Sequence, residues 1–382
     1  MKRILILPCL LSAHADGLLA VDNPAKNGQT RSVYANVAAF VANDQVAMQQ
    51  YGGDWAGDYT PRTGTNFGVL FARAEAGVQW SGYRLGALYR AVALIQSNRD
   101  TSDLVQQYHA DSGYTVGRSY SLDYQLAGFE ADGVRLSKRF ATDINDTWQL
   151  DWGLGVSYLH GKRIKLKTVT GQLVTLNTKD FDALANVSDA DSLMNTIDKG
   201  SFNAPYGRQA SASGRGHAVD VGFVLHHASS GASLELTVSD LLGRIDWQDL
   251  PNNVAVYRSG ALHKYYDANG YINYYPVATR TSSYQSMSQT LDPKWWLAAT
   301  YPLGKFEVKG AASFTQGEWL PQLGMGYHLA PQWQIRTDVD LRFQTLALSL
   351  EHTWFHLSLR MDNPNADAAK AYGLTGGVSV AF

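Results

Sequence analysis

The sequence predicts an all-β fold, a transmembrane antiparallel up-and-down β-barrel of about 14 strands, with roughly 12–16 possible, and a long insert containing a short helix. The chain ends on a strand with apolar residues at every second position, and its last residue is Phe382. The same period of two recurs along the chain, and short turns alternate with long polar connections. A barrel closes on its last strand, whereas a soluble sheet ending in this way would leave an apolar edge unpaired.

The first residues predict a signal peptide over 1–15, followed by a single barrel domain over 16–382. Lys2 and Arg3 precede an apolar run of about eight residues, too short to span a bilayer, and 13–15 form a small-x-small cleavage site. A buried N-terminal strand is the alternative. Cys9, the only cysteine, lies inside this run, so the cleaved chain would hold neither a disulfide nor a thiolate metal site.

Composition excludes several classes of protein. Of 382 residues, 12% are aromatic and only 17% charged, which argues against disorder. The net charge of −2 gives no electrostatic reason to expect nucleic acid as a partner. No stretch after the signal approaches the roughly 20 apolar residues that a transmembrane helix needs. The mean hydropathy of the chain is moderate, as expected for strands that expose one face to lipid and the other to water.

The alternation places the strands in order along the chain. In 333–343, apolar residues at alternate positions oppose Gln334, Arg336, Asp338, Asp340 and Arg342. A soluble β-sandwich would also alternate, but it would not need tryptophan and tyrosine near so many strand ends, which are typical of interfacial girdles. We predict strands at 32–42, 66–80, 83–96, 118–140, 147–162, 214–229, 231–247, 284–302, 305–316, 319–329, 332–342, 345–352, 353–362 and 371–382.

The connections divide into two kinds. Short turns at 81–82, 142–146, 229–231, 302–304 and 330–331 alternate with long polar segments at 43–65, 97–117, 163–213 and 248–283. Outer-membrane barrels have short periplasmic turns and longer extracellular loops, so the long segments are predicted to be extracellular.

The segment 163–213 is predicted as an extracellular or pore-constricting insert. A helix is expected over 178–199, with Ser188 and Asp191 spaced as a capping box. In length and order the insert resembles the third loop of porins, which folds inward. A solvated surface excursion is the alternative. The basic residues Lys162, Arg163 and Lys165, with Lys167, would contact lipopolysaccharide phosphates or form a solvated run of charge.

The last strand resembles the C-terminal assembly signal of bacterial outer-membrane barrels. Thr375, Gly377, Val380 and Phe382 occupy its polar, glycine, apolar and aromatic positions. The resemblance implies that the chain is located in the bacterial outer membrane. It further implies contact with the barrel assembly machinery and with lipopolysaccharide. A monomer is favoured.

No catalytic, cofactor or metal motif is found in the sequence. Adjacent His226 and His227 would point to opposite faces of a strand, which excludes joint coordination of a metal. His352 and His356 could share a face unless the chain turns between them. Some outer-membrane enzymes that act on lipids use a Ser/His pair. If this chain were such an enzyme, the candidate residues would be Ser349, Ser358, His352 and His356. We predict no enzyme, no metal and no cofactor.

The faces opposite the apolar ones predict a mixed-charge lumen, in which oppositely charged neighbours form cross-strand pairs. The predicted pore-lining residues are Arg73, Glu75, Arg84, Arg90, Asp123, Asp151, Asp220, Glu235, Glu307, Lys309, Arg336, Asp338, Asp340, Arg342, Glu351, His356 and Arg360.

The sequence therefore predicts an outer-membrane channel or transporter for a small polar solute, similar to porins. About 14 strands enclose more space than side chains alone fill. A lipid-modifying enzyme and a non-conducting structural or export-accessory barrel are the alternatives. Hydrophobic-substrate transporters of this size use an N-terminal hatch. Residues 16–31 are expected to be too short for one, which argues against fatty-acid or hydrocarbon uptake.

Overall fold

A computed structural model describes residues 15–16, 18–19, 21–51, 53, 55, 57–193, 212–259, 264–274 and 277–382. Its strands are β1 Ala15–Asp16, β2 Val21–Asp22, β3 Ser32–Asn43, β4 Asn66–Trp80, β5 Tyr83–Ser97, β6 Ser119–Asp143, β7 Trp148–Thr175, β8 Phe181–Asp191, β9 Ser213–His227, β10 Ser233–Arg258, β11 Lys264–Tyr266, β12 Ile272–Tyr274, β13 Ala278–Thr290, β14 Lys294–Leu303, β15 Phe306–Thr315, β16 Glu318–Ala330, β17 Trp333–Asp340, β18 Leu346–His352, β19 Phe355–Met361 and β20 Ala371–Ala381. The helix α1 spans Arg99–His109, and 3₁₀ turns cover Pro24–Lys26 and Met48–Gln50.

The main sheet closes on itself. It has sixteen strands, all paired antiparallel, and β20 pairs with β3 from Ala371↔Ala42 to Ala381↔Ser32. Two strands stand outside the ring: β8 continues the position of β9 between β7 and β10, and β13 continues that of β14 beside β10. Without these two, the ring has fourteen strands. The predicted fold class is confirmed.

The outer surface of the ring is apolar. Leu348 and Leu359, paired on neighbouring strands, are 58% and 51% exposed, while Ala347 and Ser349 beside Leu348 are buried. Exposed Trp333 and Trp354 lie at the short-turn end. A closed ring with an apolar exterior and aromatic residues at its rim is an outer-membrane β-barrel. None of the helices in the described ranges is long and apolar enough to cross a membrane.

A charged residue introduced on the lipid-facing surface should destabilise the barrel by an amount that depends on its position. Leu348→Arg should reduce the free energy of unfolding by about 2–4 kcal/mol, because a charge near the bilayer midplane must leave water. Leu184→Arg, on the exposed β8 extension, is the matched control and should change the stability little. Equilibrium unfolding by urea from phospholipid vesicles measures both. Equal effects at the two positions would contradict the assignment of the lipid face.

The helix predicted over 178–199 is wrong as far as Asp191. Phe181–Asp191 is a strand that pairs with β7 on one side and β10 on the other, and Ser188 and Asp191 lie in it. The edges of β7 and β10 are both available for pairing, and Ala183 and Ala185 are buried at alternate positions, as in a strand. These tertiary contacts favour a strand more than the capping pattern of Ser188 and Asp191 favours a helix. This part of the insert extends the wall and does not constrict the pore. The remainder of the predicted helix, 194–199, lies outside the described residues.

The strand predicted over 284–302 is also two strands. The chain leaves the ladder at Leu291, Asp292 and Pro293, between β13 and β14. Proline has no N–H to give to a ladder, so Pro293 argued against a continuous strand. The helix α1, in the connection 97–117, was not predicted, although Asn98 caps it by accepting a hydrogen bond from the Thr101 N–H at 2.9 Å.

Phe382 follows the strand that closes the ring. It is 77% exposed, and its N–H donates to the Arg31 carbonyl at 3.1 Å. We predict that deleting Phe382 leaves the protein in the periplasm and abolishes the heat-modifiable gel shift of a closed barrel. Phe306→Ala, at another exposed aromatic near the short turns, is the control and should leave assembly intact. Normal insertion of the truncated chain would refute the predicted assembly signal.

Candidate functional site: the barrel interior

The N-terminal segment, of which residues 18–19 and 21–27 are described, lies inside the barrel. The chain passes the turn 81–82, where the Ser81 N–H donates to the Gln29 carbonyl at 2.9 Å, so the segment enters from the short-turn end. Leu19, Asn23 and Asn27 are each at most 1% exposed. The described part of 16–31 therefore occupies the interior, together with large charged side chains from the wall. The expectation that this segment is too short to act as a hatch stays a prediction.

Two wall glycines make room for this segment. A Cβ on Gly222 would overlap the side chain of Asn23, and one on Gly153 would overlap the backbone of Pro24. Both positions face inward on neighbouring strands, β9 and β7. A larger residue at either site would displace the segment. Glycine at these two positions therefore allows the segment to pack directly against the wall.

A buried ionic cluster surrounds Asp22. Its carboxylate pairs with Arg73 at 3.4 Å, with Arg84 at 3.2 Å and, most closely, with Arg135. Glu75 pairs with Arg73 at 2.5 Å and with Arg84 at 3.1 Å. All five side chains are at most 9% exposed. The N-terminal segment therefore supplies a carboxylate on which three wall arginines converge.

Further polar contacts fix the segment to β10 and to β6. Lys26 pairs with Glu235 at 2.7 Å, and the Asn23 side-chain amide donates to the same carboxylate at 2.8 Å. The Asn27 amide donates to the Ser137 hydroxyl at 2.9 Å. Because several strands hold the segment at once, its release requires several buried polar contacts to break together.

A second buried cluster lies where the wall is irregular. Asp240 accepts two hydrogen bonds from Arg90, at 2.6 and 2.5 Å, and one from Lys294 at 2.5 Å. The ladder between β9 and β10 shifts register around Leu241, and both Asp240 and Leu242 have positive φ. Asp240 thus connects the kinked part of β10 to β5 and to the start of β14.

Towards the long connections the interior is apolar. Buried side chains from most of the wall form one cluster, including Phe40, Phe67, Phe71, Leu88, Phe129, Leu159, Trp247, Trp296, Leu320 and Phe343. Part of this region is a cavity of about 240 Å³, which we call the apolar chamber. Its apolar lining is Val92, Leu94, Ala127, Phe129, Leu166, Met287 and Leu291. Gln289, Asp292 and Lys294 are among the polar residues that complete it.

A smaller cavity of about 90 Å³, the polar cavity, lies beside β17–β20. Arg336 pairs there with Glu307 at 2.9 Å and with Glu351 at 3.0 Å. Arg360 donates to the Thr345 hydroxyl at 3.1 Å, and the Lys309 ammonium lies 5.0 Å from the Trp296 ring centre. These side chains form a mixed-charge surface that can donate and accept hydrogen bonds.

Most of the predicted pore-lining residues lie in these interior groups. Asp220 pairs with Arg135 at 2.8 Å, and Asp151 pairs with Arg139 at 2.8 Å. Asp338 and His356 line the polar cavity. Asp123 is the exception: it pairs across the ladder with Thr170, beyond the ring, and is exposed. A role for any of these residues in conduction stays a prediction.

Two of the predicted residues contribute near the mouth, the end with the long connections. Asp340 accepts from the Phe343 N–H at 2.7 Å and so stabilises the β17–β18 connection. Arg342 pairs with Asp44 at 2.8 Å. Burial raises the pKa of the Asp44 carboxyl, against the opposing effects of the Phe67 N–H and of Arg342.

The other candidate groups have ordinary structural surroundings. His352 packs on Trp333, with ring centres 4.5 Å apart, and Ser349 donates to Ser358 at 2.8 Å. Within the described ranges no three His, Cys, Asp or Glu side chains are grouped so that they could hold a metal ion.

The basic cluster of the sequence is neutralised locally. Lys162 pairs with Asp132 at 2.6 Å and Lys165 with Asp191 at 3.1 Å. Arg163 lies 3.6 Å from Glu130. These acidic neighbours reduce the net positive charge available to phosphates, and contact with lipopolysaccharide stays a prediction.

Comparison with known proteins gives distant likenesses only. No family model and no curated protein sequence matches the chain. A mutant of the TodX monoaromatic hydrocarbon channel has 9% identity and a TM-score of 0.45, over 94% of this chain and 93% of that one. The Ralstonia pickettii toluene transporter TbuX has 11% identity and a TM-score of 0.33, over 94% and 92%. The Escherichia coli outer-membrane protease OmpT has 8% identity and a TM-score of 0.24, over 92% and 97%.

The closed ring and its surface define the class. The chain is a bacterial outer-membrane β-barrel of fourteen strands with an N-terminal segment in its interior. The described residues of that segment occupy part of its lumen.

Proposed function

We propose that this barrel is an outer-membrane transport channel that takes up small, largely apolar solutes. The observation that carries the proposal is the apolar half of the interior, with its chamber of about 240 Å³, above an ionic layer. A porin needs a continuous wet lumen, and it has no need of a phenylalanine-rich and leucine-rich interior. An apolar interior that faces the mouth provides favourable transfer from water for an apolar solute.

The size of the chamber sets the size of the solute. Apolar cavities of roughly 150 Å³ in protein interiors stay dry and accept benzene, so the chamber can accommodate one or two aromatic rings. Burial of apolar surface contributes about 25 cal/mol per Å², which gives a one-ring or two-ring hydrocarbon several kcal/mol of favourable transfer. The polar lining residues Gln289, Asp292 and Lys294 can orient a hydroxyl or carboxyl substituent of the solute. The chamber still favours a largely apolar solute.

A second candidate solute is a small polar one, as the charged inner faces of the sequence predict. The polar cavity supports it, because Arg336, Glu351 and Arg360 offer donors and acceptors within one space. Its smaller volume, about 90 Å³, restricts this candidate to solutes of a few heavy atoms.

Uptake by cells tests the proposal. Cells that lack their major porins and produce this protein should accumulate radiolabelled naphthalene faster than cells without it, with no gain for labelled glucose. Ala127→Trp should abolish the gain by filling the chamber. Ala76→Trp, on the exposed outer face of β4, is the matched control and should transport normally. Accelerated uptake of glucose alone would favour the polar candidate and contradict the apolar one.

A further inference from the structure

The tight turn between β15 and β16 reaches across the mouth. The carbonyl of Gln316 accepts a hydrogen bond from the Gln96 side-chain amide at 3.0 Å. Gln96 lies on β5, on the opposite side of the ring from β15 and β16. In the other direction, the Gln316 side-chain amide donates to the Asp292 carboxylate at 2.6 Å. One residue thus joins two distant parts of the wall.

Both partners of Gln316 lie at the rim of the apolar chamber. Asp292 is itself a lining residue, next to Leu291. Gln96 is two residues from the lining residue Leu94, on the same face of β5. The bridge Gln96–Gln316–Asp292 therefore passes over the outer end of the chamber.

The identity of residue 316 is unusual for its backbone. Gln316 and Gly317 have φ of 47° and 79°, as in a two-residue type I′ hairpin turn. The first position of such a turn favours Asn, Asp or Gly, because other side chains are strained at positive φ. A glutamine accepts this strain and, with one more methylene than asparagine, its amide can reach Asp292. Gln344 has a similar φ of 56°, so the contact with Asp292, and not the backbone alone, distinguishes Gln316.

We propose that the β15–β16 turn is the outer gate of the apolar chamber and that Gln316 is its latch. The proposal rests on the proposed transport function. The two hydrogen bonds hold the turn over the chamber. When both are broken, the hairpin swings away from β5 and an apolar solute enters from the mouth. Arg342, which pairs with Asp44 at 2.8 Å and lies 3.4 Å from Glu318, links the residue that follows the turn to the β3–β4 connection.

Naphthalene uptake by cells producing the full-length protein tests the latch. Gln316→Asn suits the turn better but is too short for the Asp292 contact. It should raise the initial rate about ten- to a hundredfold, as expected when a hydrogen bond to a charged group is lost. Gln344→Asn is the matched control: Gln344 has φ of 56°, is exposed and lies in the β17–β18 connection. It should leave the rate unchanged. Equal rates for wild type and Gln316→Asn would overturn the latch.

A reversible cross-link provides a second measurement within one molecule. Gln96→Cys combined with Gln316→Cys, joined by a bis-methanethiosulfonate reagent, should stop uptake and recover it in dithiothreitol, while each single variant keeps its uptake after the reagent. A spacer is needed because Gln96 meets the backbone of residue 316 and not its side chain. A heat-modifiable gel shift confirms that each variant is folded. Undiminished uptake by the cross-linked pair would overturn the gate but leave the transport function intact. Wild-type uptake no faster than that of cells without the protein would overturn both.

Discussion

Asp22→Ala should convert a silent barrel into a conducting one. The substitution leaves the guanidinium groups of Arg73, Arg84 and Arg135 facing one another without the carboxylate on which they converge. Removing one partner of a buried ionic cluster costs about 3–5 kcal/mol. Where that cost falls on docking of the N-terminal segment, the equilibrium constant for docking decreases by roughly 10²–10⁴-fold. Water and ions should then pass the level that the segment now fills.

Conductance of purified protein in planar bilayers measures this effect. The wild type should give few openings, and Asp22→Ala should give long-lived channels of larger conductance. Asn27→Ala is the control, because it removes only neutral hydrogen bonds from the same segment, to the Gly82 carbonyl and the Ser137 hydroxyl. It should resemble the wild type. If Asp22→Ala is folded and as silent as the wild type, the ionic cluster does not hold the interior closed.

Asp240→Asn should cause a large loss of stability although it is a conservative substitution. The amide keeps the shape of the side chain and tolerates the positive φ of residue 240, so the effect is mainly one of charge. It leaves Arg90 and Lys294 buried together without their shared anion. The expected loss in free energy of unfolding is about 3–5 kcal/mol.

A double-mutant comparison separates the charge effect from misfolding. Adding Lys294→Met to Asp240→Asn removes one uncompensated cation and should restore part of the lost stability. Asp246→Asn, on the same strand but in an exposed pair with Arg244, should cost less than about 1 kcal/mol. Urea unfolding monitored by tryptophan fluorescence gives all three values. Equal losses at positions 240 and 246 would contradict a structural role for the buried cluster.

The sequence predicted the ring well, because each ring strand carries its own signal. The strand 66–80 matches Asn66–Trp80 at both ends, and the closing strand differs by one residue. Period-two alternation is local, and the lipid face makes it strong. The strand Phe181–Asp191 was missed because it depends on which edges of β10 and β7 are available, and that is a property of the assembled sheet. The break at Pro293 had a local signal, since proline has no N–H to give to a ladder.

What fills the ring could not be predicted from the same pattern. Alternation shows which side chains point inward but not what they meet there. Asp22 is separated from Arg73, Arg84 and Arg135 by 51, 62 and 113 residues. Phe67, Phe71 and Phe129 also point inward and make the interior near the long connections apolar. Counting apolar residues on the inner faces could have indicated the chamber.

The most direct test of the account is to look for an apolar ligand in the chamber. Crystals of the wild-type protein soaked with bromobenzene should show an anomalous bromine peak among Leu94, Phe129 and Leu291. The same experiment on Ala127→Trp, whose chamber is filled, should show no peak there. Bromine found only on the lipid-facing surface or in the polar cavity of the wild type would contradict an apolar transport path through this barrel.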